Sequence, residues 1–128
     1  MIPERQRLPN RRDNRIATLE VAGQRFTACI GFDPETGQPR ELFLMAGKEG
    51  SMLNSLLADA AVVVSVALQH GVPAAALAKS VGRSPNLATM PGSLDQLVAG
   101  SQAASPIGAA IDLLIAHEPR PDGEPSNE

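Results

Sequence analysis

From Ser51 to Gln69 the apolar residues fall at Leu53, Leu56, Leu57, Ala60, Ala61, Val64, Ala67 and Leu68. This i, i+3, i+4, i+7 spacing is that of one face of an α-helix. A helix with an apolar face needs a partner layer, and the residues before it supply one. The runs RIATLEV (15–21) and RFTACIG (25–31) are rich in alternating and β-branched residues, with only Ala22-Gly23-Gln24 between them. That is the signal of a β-hairpin. The segment 32–40, FDPETGQPR, has turn chemistry: proline presets φ and Gly37 can take a positive one. ELFLMA (41–46) then reads as a third strand.

After the long helix, Gly71 stops the chain's helical run and Pro73 opens a second helix, 73–81. Residues 82–93, GRSPNLATMPGS, are expected to be loop, and residues 94–104 loop or a short helix. SPIGAAIDLLIAH (105–117) predicts a final helix with Ser105 as N-cap and Pro106 at N1. The expected fold class is α+β: a three-stranded antiparallel meander packed against one long and two shorter helices. Residues 1–15, with two prolines and five arginines, read as an extended arm that adds little to the core. Residues 16–117 read as a single domain, and 118–128, EPRPDGEPSNE, as a disordered tail.

Composition sets limits on what this domain does. Hydrophobic residues make up 43% of 128, but much of that is alanine, and Phe26, Phe32 and Phe43 are the only rings. So thin a core favours association, and the expectation is a homo-oligomer. Val62 and Val66, off the main apolar face of the long helix, are candidates for the contact. A net charge of −3 argues against general nucleic-acid binding. A single cysteine, Cys29, excludes an internal disulfide and a cysteine-based zinc site, and fits a cytoplasmic protein. Its place in a strand suggests a buried, inert thiol. No membrane association is expected, because the longest apolar stretch, Ala60–Leu68, is interrupted by Ser65 and is short.

The candidate ligand-binding residues fall in three places. Arg11 and Arg12, in RLPNRR, carry planar guanidinium groups suited to phosphate or carboxylate. Lys48, Gly50 and Ser51 lie where the long helix begins, and a helix N-terminus with glycines before it favours an anion. The same residues also make an ordinary helix start, and the P-loop order is absent. Arg83, Ser84 and Asn86 offer polar groups in a loop. Phe32 could stack on a base or cap the core. His70 is placed to cap the long helix, and His117 begins the tail. No catalytic set and no metal-ligand spacing is visible, so neither an enzyme nor a cofactor is expected.

The order of these motifs resembles the TSCPD domain. The match rests on Gly37, Glu41 and Phe43, on Gly47-Lys48-Glu49-Gly50-Ser51, and on Asp59-Ala60 and Ser65. It continues through Ala67-Leu68-Gln69, Gly71-Val72-Pro73 and Leu77, with RLPNRR (7–12) and SPIGAAIDLL (105–114) at the two ends. The domain occurs at the C-terminus of adenosylcobalamin-dependent ribonucleotide reductases and alone in bacteria and phages. The string that names the family is absent; Thr27-Ala28-Cys29 is its nearest echo, and no Cys-x-x-Cys pair follows. The resemblance therefore implies a fold and a nucleotide-related setting, not thiol relay. The expected function is a non-enzymatic binding module for a small nucleotide-like anion. By analogy with small, oligomeric phage sponges, it would sequester a cyclic nucleotide or cyclic ADP-ribose immune signal. The alternative is an accessory protein that docks on ribonucleotide reductase or another protein.

Overall fold

A computed structural model describes residues 4–46, 50–84 and 102–119. Strands β1 (Asn14–Val21), β2 (Gln24–Phe32) and β3 (Pro39–Ala46) form an antiparallel sheet in the order β1-β2-β3. Helix α1 (Met52–Gln69) follows, then α2 (Ala74–Ser80). The short strands β4 (Arg83–Ser84) and β5 (Gln102–Ala103) pair with each other, and α3 (Pro106–Ala116) ends the fold. The α+β meander with one longer and two shorter helices is the architecture that the periodicities predict. The pairing of Arg83–Ser84 corrects the expectation of plain loop from residue 82, because a long-range partner at 102–103 organises it.

Alternation along the strands sorts the sheet into two faces. Phe26, Ala28, Ile30, Leu42 and Leu44 face inward and are buried. They meet Leu57, Ala61, Val64 and Leu68 of α1 and Ala110, Ile111 and Leu114 of α3 in one core. The outer face carries Ile16, Phe43 and Met45, all exposed, with Cys29 half-buried between Ile16 and Phe43 in the pairing. Cys29 is thus not the core thiol that its strand position suggested: odd positions of β2 face away from the helices.

The helix ends were legible locally. Gly50 has φ +77°, and the Ser51 hydroxyl accepts the Asn54 N–H at 3.1 Å, capping α1. At the other end Gly71 takes φ +92°. The Gly71 N–H reaches the Leu68 carbonyl and the Val72 N–H the Ala67 carbonyl, each at 3.0 Å, the pattern of a Schellman stop. His70 is the C-cap residue, as expected. Pro73 is the N-cap of α2 rather than its first residue. Ser105 accepts the Gly108 N–H at 3.1 Å, with Pro106 following it in the first turn of α3.

The β1–β2 turn is the two-residue loop Ala22–Gly23, with φ +53° and +80°. Two positive φ values suit the right-handed twist of a tight hairpin, but Ala22 is strained there. Ala22→Gly or Ala22→Asn should raise stability by about 0.5–1 kcal/mol, read as a higher melting temperature. No gain would show that the turn relaxes without strain.

Helix α1 runs beside β3 and seals its open edge. The Ala46 N–H donates to Asn54 Oδ1 at 3.0 Å. The Leu42 N–H donates to Ser65 Oγ at 2.8 Å, and the Ser65 hydroxyl sits 3.1 Å from the Leu42 carbonyl and 2.9 Å from that of Ala61. Gln69 Nε2 donates to the Arg40 carbonyl at 3.1 Å. Positions 54, 65 and 69 lie within about 60° of one another at about 100° per residue, so one polar strip of the helix serves the strand. An unpaired strand edge invites pairing with another chain, and here side chains of α1 occupy it. The whole of α1 is long and apolar enough, by length and composition, to cross a membrane. In the fold it lays one face on the sheet instead, and its polar strip bonds to β3.

Candidate anion-binding site

The arm is docked, not free. The Gln6 N–H donates to the Gln69 carbonyl at 2.7 Å, and Arg5 Nε to Gln69 Oε1 at 2.6 Å. Arg12 donates from Nε to Glu41 Oε1 at 2.8 Å, pairs with the same oxygen through Nη2 at 2.8 Å, and reaches the Pro9 carbonyl from Nη1 at 2.7 Å. Both partners of this pair are largely covered. The pair lies across Gly31: a Cβ there would come within 2.6 Å of Glu41 Oε1 and 3.4 Å of Arg12 Nε. These bonds tether the arm to α1 and to the sheet, while none of its described residues enters the core. RLPNRR and Glu41 act together, closing the sheet end near the C-terminus of α1.

Gly31→Ala should therefore displace the pair at a cost of about 1–3 kcal/mol, the usual range for overpacking. Denaturant melts check this. An unchanged midpoint would mean that Glu41 swings away freely.

The residues expected to hold a ligand are spread over the fold. Arg11 is exposed and Arg12 engaged with Glu41, both where β1 begins. Gly50 and Ser51 lie at the start of α1, beside Ala46 at the far end of β3. The five residue steps from 41 to 46 span about 17 Å, so one chain does not bring Arg12 to Ser51. Arg83 and Ser84 form β4; with β5 this hairpin lies toward the β1–β2 turn, since Val21 and Ala22 share a concavity with Ala103 and Ala104. Lys48 and Asn86 lie outside the described residues.

A concavity lies elsewhere, between β1 and α3. Its volume is about 540 Å³, with Arg15, Ile16 and Ala17 of β1 on one side and Leu113, Ala116 and His117 on the other. Ile30, fully buried, lies beneath its floor. His117 is the C-cap of α3, and its Nδ1 lies 3.0 Å from the Leu113 carbonyl. A carbonyl only accepts, so Nδ1 carries the proton and fixes the ring; Nε2 is then the free nitrogen. The Phe32 ring, packed against the core, lies 6.3 Å from the His117 ring, tilted by 53°. Guanidinium and imidazole above an apolar floor suit an anion that carries an apolar or planar body. Among the described residues, no group of three or more His, Cys, Asp or Glu could hold a metal ion.

Sequence reasoning placed Arg15 in the arm and His117 at the start of the tail, and did not join them. One signal was present: Arg15 shares the inward parity of Ala17 and Leu19 in β1, an odd place for a charge unless a groove receives it.

Comparison with known proteins follows the same outline. The model of the TSCPD domain matches residues 3–110. A vitamin B12-dependent ribonucleotide reductase of Rhodopirellula baltica is 35% identical over 71 residues, 56% of this chain and 7% of the reductase. Those of Bradyrhizobium diazoefficiens and Agrobacterium fabrum are 34% and 35% identical, over 55% of this chain and 6% and 5% of their own lengths. The chain thus spans less than a tenth of these relatives. No solved structure matches it.

Proposed function

Since this chain belongs to the TSCPD family, we propose that it works as a binding module for a nucleotide or nucleotide-derived anion. The observation that carries this reading is the concavity between β1 and α3, where Arg15 and His117 flank an apolar floor. Its volume falls in the range of small-molecule sites, about 300–1,000 Å³. Arg15 would meet a phosphate, Nε2 of His117 would accept from a ligand hydroxyl or N–H, and Leu113 would contact the base or sugar. On this reading the protein is a non-catalytic, homo-oligomeric sponge for a cyclic nucleotide or cyclic ADP-ribose.

Calorimetric titration of the full chain with cyclic mononucleotides, cyclic dinucleotides and cyclic ADP-ribose tests it. Saturable heat with at least one, lost on Arg15→Ala, supports the reading. Heat that survives Arg15→Ala but falls on Arg11→Ala/Arg12→Ala or Lys48→Ala would move the site to the arm or to the start of α1.

A second reading is favoured by the relatives themselves, which are reductases containing a related segment. Here the chain is an accessory protein that docks on such a reductase. It predicts no heat with any of these ligands, and co-sedimentation with a vitamin B12-dependent ribonucleotide reductase.

A further inference from the structure

Strand β1 is an edge of the sheet, and among the described residues no side chain bonds to its outer backbone as those of α1 do to β3. The Phe32 N–H bonds to the Asp13 carbonyl, so 13 and every second residue after it face β2. The backbone groups of Asn14, Ile16, Thr18 and Glu20 therefore point away from the sheet. Ile16 is 76% exposed, an apolar side chain in the middle of an open edge. Such a strand is a template for a further strand.

We propose that this strand is a second copy's β1, paired antiparallel about a two-fold axis at Ile16, and that the pairing joins the two Arg15–His117 concavities. The second clause rests on the anion-binding reading above; the first does not. Two features select this register. On the outer face Ile16 meets Ile16 of the second copy, so the row Phe43–Cys29–Ile16 runs on unbroken into its own mirror row. Asn14 comes opposite Thr18 of the second copy, a polar pair on each side of the Ile16 pair. Shifting the centre to Thr18 would set exposed Ile16 against Glu20. Cross-strand pairs of like polarity help to fix a register.

On the inner face the same register sets Arg15 opposite Ala17 of the second copy, and both positions line the concavity. The two Arg15 residues become diagonal neighbours, with Cα atoms about 7–8 Å apart. The joined groove then has an arginine from each chain on its β1 wall, with a His117 at either side. Such a site suits an anion with two phosphate groups better than one with a single phosphate, because the second guanidinium comes from the second copy.

The test uses the full chain. Sedimentation equilibrium should give twice the chain mass, and Ile16→Lys and Thr18→Pro should each give the single-chain mass with an unchanged circular dichroism spectrum. Proline at 18 removes only an outward N–H, which a lone edge strand tolerates. A single-chain mass for the unaltered protein, or a mass that neither variant lowers, would overturn the pairing. Titration with inorganic pyrophosphate then addresses the shared site, with inorganic phosphate as the comparison. One pyrophosphate per two chains is expected, bound at least tenfold tighter than phosphate, and weakened at least tenfold by Thr18→Pro, which lies outside the groove. One pyrophosphate per chain with an affinity unaffected by Thr18→Pro would overturn the shared site. A dimer that binds neither ion would leave the pairing standing and remove the anion-binding reading.

Discussion

Ser65→Ala should destabilise the protein by about 2–3 kcal/mol, although it deletes a single oxygen on a helix. The Ser65 side chain is buried and serves both backbone groups of Leu42. Without it the Leu42 N–H loses its acceptor in a covered seam, and such a group costs about 1–3 kcal/mol, with the carbonyl's loss added. For a domain of this size that is a fall of roughly 10 °C in melting temperature. Ser65→Thr keeps the hydroxyl and should recover much of the loss if the added methyl fits. A fall of less than a degree in the alanine variant would mean that water replaces the hydroxyl, and that α1 seals the β3 edge by packing alone.

Arg15→Ala should weaken binding of any ligand found by titration roughly a hundredfold. A charge-assisted hydrogen bond contributes about 1.5–3 kcal/mol, and about 1.4 kcal/mol is tenfold. Arg15 is exposed on an edge strand and lies outside the core. Arg15→Lys should recover only part of the affinity, since an ammonium lacks the planar fork. His117→Gln separates the two walls of the groove: it should reduce affinity less than Arg15→Ala. Equal affinity in all of these variants would exclude the concavity and return attention to Arg11 and the start of α1.

These two predictions also divide what the family's motifs do. ALQHGVP reads as a structural unit: Leu68 in the core, Gln69 bridging arm and β3, His70-Gly71-Val72 turning the chain, and Pro73 starting α2. Glu41 and RLPNRR form one ion pair over Gly31. Ser51 caps a helix. Those residues explain a shared fold more directly than a shared ligand. The groove between β1 and α3 uses Arg15 and His117, neither of which carried the resemblance.

What the sequence by itself determined is what depends on neighbours along the chain. The helical period of 51–69, the Ser51 and Ser105 caps, the Gly71 stop and the alternation of β1, β2 and β3 all arise from contacts within a few residues. Steric and hydrogen-bonding preferences at that range are properties of short segments, so they can be read without the fold. Tertiary structure alone decided the rest. Asn54, Ser65 and Gln69 look like polar interruptions in an apolar helix until β3 is placed beside them. Arg12 looks like a free cation until residues 31 and 41 come under it. Arg15 and His117, a hundred positions apart, face one groove only because α3 returns beneath β1. A buried polar atom needs a partner, but residue type does not name a partner distant in sequence, and the geometry of the packed layers does.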